Sequence, residues 1–463
     1  MLLLSRVPRW MQTSLARQVS ASLSCYLCIM TASSCLGWLS PYTIKLTSGE
    51  TPTYTKIRLA TLIAMVEVGN AATSLGAPYF SDRFGRKTTL LFAGPLTVTL
   101  WTISLFTKNI VVLHIIRILQ GVALASIVSI APVYLAEISA ANRRGVLCGN
   151  YAVVWNLATL YSFINSEYLS FDMYTLSLIA ISILFCSTFI FMPESPYFYF
   201  MKNKPDKAKS SLQWLRYNED IEKEYLEIEE AVREDMKNAG SWIDLVATKK
   251  DRRALLIVQI VALTRFLVGI NLFAAYAEDI FTKAGSYIFT PNQQAIGLVL
   301  LFTVSSAVAS FFSDIVGRRK LLIYSLIGTA ISNIIIALYF GLLELTSLQV
   351  TPYVWIMYIG SLGCSIFTNI GVVQLMPTVK AEFFPSHTRS KGSALTTFIS
   401  AFAIFAQLAA FPVITKYIGM YFNFILFTAA ALIGYVFALI YVPESAGKTL
   451  AEVNETVDKI TSC

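Results

Sequence analysis

Acids and bases stand close together in this chain at places where the surrounding sequence is apolar. Asp82-Arg83-Phe84-Gly85-Arg86-Lys87 closes one apolar run and Asp314-Ile315-Val316-Gly317-Arg318-Arg319-Lys320 closes another, each followed at once by more apolar sequence. A second set also recurs. Glu137 precedes Arg143 and Arg144, Glu382 precedes Arg389, and Pro193-Glu194-Ser195 returns as Pro443-Glu444-Ser445. The chemistry within reach of such sets is the making and breaking of ion pairs. The two histidines, His114 and His387, are too far apart in topology to share a metal or serve one triad. Cys25 and Cys28 form a C-x-x-C inside an apolar run, where packing is the ordinary role. No catalytic residue, cofactor or metal is expected, and an enzyme has little reason to carry such a set twice.

What must position these charges is a membrane bundle. The chain has 463 residues, 56% hydrophobic and 14% charged, with a mean hydropathy of +0.62. A soluble protein carries about 25% charged residues. A helix needs about 20 apolar residues to cross a bilayer. Twelve such runs lie at about 19–41, 59–80, 88–106, 110–134, 146–165, 174–192, 254–281, 295–312, 321–343, 352–376, 394–411 and 421–442. Twelve is even, so both termini share a side. Even-numbered loops hold Arg83, Arg86, Lys87, Arg143, Arg144, Arg318, Arg319, Lys320, Arg389 and Lys391, against Lys45, Lys56, Arg58, Lys108, Lys283 and Lys416 in the odd ones. The positive-inside rule makes the termini and the motif loops cytoplasmic, and it accounts for the net charge of +8 without a nucleic-acid partner. The first run lacks a small-residue cleavage site and is read as a retained helix.

The expected architecture is an all-α membrane protein of twelve transmembrane helices in two six-helix bundles. Its parts are a cytoplasmic N-terminus (1–18), a first bundle (19–192), a cytoplasmic linker with short amphipathic helices (193–253), a second bundle (254–442) and a cytoplasmic tail (443–463). In the linker, Leu212, Leu215, Tyr225, Leu226, Ile228 and Val232 stand among acids and bases, which suits helices lying under the membrane and tying the bundles together. A partner-binding segment is the alternative. Glu67 falls inside the second span and Arg265 inside the seventh. Each costs about 2.5 to 3.5 kcal/mol on insertion scales, so both must face protein or water. Either they meet in one polar cavity or each separately reaches a backbone carbonyl or water.

Further motifs fall in order along the chain: Arg117-Ile118-Leu119-Gln120-Gly121, Pro132-x-Tyr134-x-x-Glu137, Arg144-Gly145, Pro193-Glu194-Ser195-Pro196, Gly269-Ile270-Asn271, Glu382-x-x-Pro385-x-x-x-Arg389 and Pro443-Glu444-Ser445-x-Gly447-Lys448-Thr449-Leu450. With the doubled D-x-x-G-R-[RK] turn, the set resembles the sugar porter family of the major facilitator superfamily, most of all the facilitated trehalose and glucose transporters of insects. The resemblance implies facilitated diffusion of a small polar solute, a sugar such as trehalose, a hexose or a polyol, by a monomer whose two bundles rock about a midplane site in the plasma membrane bilayer. It implies a cytoplasmic gate in which Asp82, Arg86, Glu137, Arg144 and Glu194 pair with one another, as do Asp314, Arg318, Glu382, Arg389 and Glu444. Proton-linked members place an Asp in the first helix, and the run 19–41 holds no acid.

The family's sugar-binding residues are only partly present. Asn271 and Tyr276 match, whereas the fifth-helix Gln is Ala152, the Gln-Gln of the seventh helix is Arg265-Phe266, the eighth-helix Asn is Phe302, the tenth-helix G-P-I-P-W is Val373-Gln374-Leu375-Met376-Pro377, and the eleventh-helix Asn-Trp is Ser400-Ala401. A different polar lining is therefore expected, drawn from Arg265, Gln374, Trp155 and Asn156 beside Asn271 and Tyr276, with Asn369, Thr368, Gln407 and Trp38 as further candidates. The alternatives are a proton- or ion-coupled carrier of a non-sugar solute, with Arg265 as counter-ion for an anion, and a transporter-shaped sensor that binds without moving its ligand.

Overall fold

The computed structural model describes residues 13–42, 55–217, 219–237, 241–285, 289–384 and 388–444, which are helical almost throughout. The first half comprises α1 (Ser14–Gly37), α2 (Lys56–Ser74), α3 (Ala77–Phe84), α4 (Arg86–Phe106), α5 (Ile110–Ile138), α6 (Ala141–Tyr168) and α7 (Phe171–Phe189). Between the halves run α8 (Pro196–Met201), α9 (Pro205–Arg216) and α10 (Glu222–Lys237). The second half comprises α11 (Lys249–Leu267), α12 (Ile270–Ala284), α13 (Pro291–Val316), α14 (Arg318–Leu345), α15 (Val354–Thr368), α16 (Gln374–Phe383), α17 (Arg389–Tyr417) and α18 (Met420–Tyr441).

Twelve crossings result because three of them are broken. Helices α2 and α3 form one span bent by 54°, with a proline opening the second piece. The span of α11 and α12 breaks at Gly269, whose φ of 96° suits glycine and whose Cα lies against the Phe427 ring. A π-turn at Asn369–Val373 joins α15 to α16. Among the described residues nine helices are long and apolar enough to cross a membrane, ten with the bent pair, and α6 and α13, of 28 and 26 residues, complete the twelve. Several helices outrun their apolar stretch at the end bearing the termini. There α5 continues to Ile138 and α14 begins at Arg318, because charged turns extend a helix into water without desolvation.

Packing divides the molecule by depth. At the end far from the termini one apolar core joins both halves, with Trp38, Tyr42, Trp101 and Tyr174 from the first and Phe273, Tyr276, Phe340 and Phe424 from the second. At the end bearing the termini the cores are separate, one confined to each half and its linker side. Helix α2 runs along α17 and α6 along α13, so both contacts cross between the halves. The linker helices have a core of their own around Leu212, Ile228 and Val232, as their amphipathic pattern requires. They are fastened to the first half by Arg17, which donates to the Trp214 carbonyl (2.9 Å) and lies over the Tyr217 ring, and by Arg216, which donates to the Ile138 carbonyl (3.0 Å) while forking onto Glu224.

Helices α2 and α5 approach glycine against glycine. A Cβ on Gly69 of α2 would overlap the Ile118 carbonyl, and one on Gly121 of α5 would overlap the Val66 carbonyl. Small residues let backbones touch where lipid offers no hydrophobic drive. Gly121→Val is expected to destabilise the protein by about 3 kcal/mol or more, beyond ordinary overpacking, read as the loss of monodisperse protein in detergent and a lower melting temperature.

Candidate functional site

The doubled motif has a structural role that is itself doubled. Gly85 and Gly317 open α4 and α14 with φ of 110° and 93°, and a glycine at the cap has no side chain with which to hold the first amides. A remote carboxylate does so instead. Glu194 accepts from the Lys87 and Ser195 amides at 2.9 and 3.0 Å, and Glu444 accepts from the Arg318 amide at 2.9 Å and the Arg319 amide at 3.4 Å. A Cβ at either glycine would press on that carboxylate. One residue further on the match continues, with Lys87 Nζ bonded to the Ile190 carbonyl and Arg319 Nη2 to the Leu439 carbonyl, both at 2.7 Å. Burial pushes the Glu194 carboxyl up from the usual range, and the amides of Lys87, Ser195 and Thr88 pull it back.

Arg86 gathers the remaining acids of the first half. Its guanidinium is buried, 3.0 Å from Asp82 and 3.1 Å from Glu137, and reaches Met201 Sδ of the linker at 3.5 Å. Arg144 is exposed and is drawn to Tyr197 of α8 rather than to this cluster. All these contacts lie within the first half and its linker. In the second half Arg318 meets Glu444 and Arg389 opens α17, while the side chains of Asp314 and Glu382 lie outside the described residues, as do Pro385 and the tail from Ser445 onward.

Among the described residues Glu67 and Arg265 each have a neighbour in their own half. Glu67 accepts from Asn70 of its own helix at 2.8 Å and lies in the field of Arg117. Arg265 lies over the Phe266 ring, 5.0 Å from its centroid, and in the field of Tyr151 on α6. A buried charge that the sequence reading passed over is Arg117, although its motif was in view. Fully buried, it donates to the carbonyls of Leu62 (3.1 Å), Ile63 (3.2 Å) and Cys35 and to Gln120 (2.9 Å), binding α1, α2 and α5 together.

The residues expected around a central solute separate into two groups. Trp155 stacks on Tyr151, and Asn156, Asn271, Arg265 and Gln374 are half-buried. Tyr276 is committed to its own half, its hydroxyl donating to the Leu408 carbonyl (3.0 Å) and its ring stacked on Phe411 at a kink in α12. Trp38, Thr368 and Asn369 are spent on helix contacts, with Thr175, Thr329 and the Ser365 carbonyl respectively. Two further residues join the group, Tyr151 and Lys380. Tyr151 was legible as the residue four before Trp155 on one helix face. Lys380 fell past the end assigned to the tenth apolar run.

Two bundles, three broken spans and a charged turn repeated with its cap are the frame of a solute carrier. The family described as "Sugar (and other) transporter" matches residues 28–457. The chain belongs to that family. Among the relatives of this transporter, the putative metabolite transport protein YwtG of Bacillus subtilis is 27% identical over 405 residues, 85% of each chain. The facilitated trehalose transporter Tret1 of Bombyx mori is 28% identical over 82% of this chain and 75% of that protein. The facilitated glucose transporter member 2 of Gallus gallus is 26% identical over 84% of this chain and 74% of its own length. The fold matches the inward-open xylose transporter XylE of E. coli with a TM-score of 0.77 at 18% identity, covering 95% of this chain and 99% of that one. The transporter is thus a multi-pass integral membrane protein of the major facilitator superfamily.

Arg117 and Glu67 should respond unequally to neutralisation. Glu67→Gln keeps an acceptor for Asn70 and is expected to cost about 1 kcal/mol or less. Arg117→Gln strands carbonyls on two helices and is expected to cost about 3 to 5 kcal/mol. Both are read from melting temperatures in detergent, and Arg265→Gln should rescue neither.

Proposed function

We propose that this transporter carries a sugar or polyol by facilitated diffusion, as a monomer in the plasma membrane bilayer, with its termini in the cytoplasm. The observation that carries the reading is the difference between the two ends. One apolar core seals the halves together at the far end, while polar side chains from both halves meet below it and the cores at the other end stay apart. A molecule sealed on one side only has the geometry of one state of an alternating-access cycle. The loop charges support assigning the open side to the cytoplasm. Uniport is supported by the acid-free first helix and by Glu67 being held in its own helix.

On this reading Asn271, Trp155, Asn156, Gln374 and Arg265 line the solute path, and Tyr276 shapes it from behind. The ion pairs of Arg86 with Asp82 and Glu137, together with Arg144, Arg318, Arg389 and the capping pair Glu194 and Glu444, form the inner gate, with Asp314 and Glu382 as its remaining acids. Counterflow of labelled trehalose and hexoses in proteoliposomes tests the reading, with Asp82→Asn as the impaired control. Binding without exchange would sink it.

The seal also has a polar latch. Asn292 of α13 donates to Glu167 (2.6 Å) and accepts from Ser166 (3.1 Å) of α6, bridging the halves. Asn292→Ala is expected to shift the balance of the two open forms about 5-fold toward the outward one, for roughly 1 kcal/mol of lost hydrogen bonding. Distance measurements between spin labels at the exposed positions 168 and 289 would report it.

A further inference from the structure

Three buried arginines among the described residues are paired. Arg117 is held by carbonyls and Gln120, Arg86 by two carboxylates, and Arg216 by the fork of Glu224 and a carbonyl. Arg265, near the end of α11, has no carboxylate partner among the described residues, and its Nε is buried without an acceptor. The charge that acts on it from its own half is of the same sign, Lys380 of α16. From the other half it lies in the field of Tyr151, on whose ring Trp155 is stacked. Both cations are half-buried and sit on the open side of the apolar seal.

Two like charges with no counter-charge among the described residues are a costly arrangement inside a membrane protein, at about 2.5 to 3.5 kcal/mol for each cation on insertion scales. We infer that Arg265 and Lys380 bind an anionic group on the transported solute, so that the cargo is a hydroxylated body bearing one carboxylate or phosphate, a sugar acid or a sugar phosphate. The inference rests on the proposed sugar transport and narrows its substrate class. The guanidinium fork takes two oxygens of the anion, the ammonium acts as a point charge on the same group, and the Tyr151 hydroxyl donates from across the path. Trp155 offers an apolar face to the carbon skeleton. Uniport of such a solute moves charge, so an inside-positive potential accelerates its entry.

The test is counterflow by the full chain in proteoliposomes, using labelled glucose, glucuronate and glucose 6-phosphate, with and without an imposed potential. At least one anion is expected to exchange 10-fold faster than glucose and to respond to the potential. Which one does so separates a carboxylate from a phosphate cargo. The anion-to-glucose ratio should fall 10-fold or more in Arg265→Gln, several-fold in Lys380→Gln, and recover in part in Arg265→Lys, which also controls for misfolding. Glucose exchanging as fast as both anions, or a ratio unchanged in Arg265→Gln, would overturn the inference. If nothing exchanges, the transport reading fails, and the inference is decided by binding. It stands if either anion raises the wild-type melting temperature more than glucose does and Arg265→Gln abolishes the difference, and it falls otherwise.

Discussion

A helix that starts on a glycine leaves its first amides without a cap, and in this protein a carboxylate from a distant part of the same half supplies one. Glu194 on α4 and Glu444 on α14 do the same work with the same neighbours, down to the lysine or arginine that reaches a carbonyl four or five residues before the glutamate. The helix dipole adds to the attraction. Each contact fixes the last helix of a half against its third, so the inner surface of each bundle has a set shape. The ion pairs of Arg86 and the linker helices are then arranged on that surface.

Much of this was legible in the sequence. Apolar runs of bilayer length located all twelve crossings, because lipid forces backbone groups to be satisfied within each helix. The doubled motifs located both charged turns. The roles of the charges were less legible. Glu194 and Glu444 read as gate acids, and the structure adds that they are caps, a role set by contacts more than 100 residues apart. Arg117 was passed over because its three helices come together only in the fold. Trp38 and Thr368 were further candidates for a polar lining and make helix contacts in the fold, and a polar side chain in a span reads the same whether it faces a neighbour or a cavity.

The arginines that build the frame follow one rule. Where an arginine builds the frame, the chain surrounds it with acceptors, as at Arg117 and Arg216. Where glycines bring α2 and α5 into backbone contact, that frame has little room to adjust, which places the first half's adaptability at its bends instead.

The two ends of the molecule are joined by different forces. The far end is closed mainly by packed aromatic and aliphatic side chains, the other end is furnished with ion pairs and capped helix starts. Exposing an apolar layer to water raises heat capacity, and exposing polar groups lowers it. The balance between the two open forms should therefore curve with temperature, with cooling loosening the aromatic seal, whereas added salt acts chiefly on the opposite end. Temperature and ionic strength become separate handles on the two gates of one carrier.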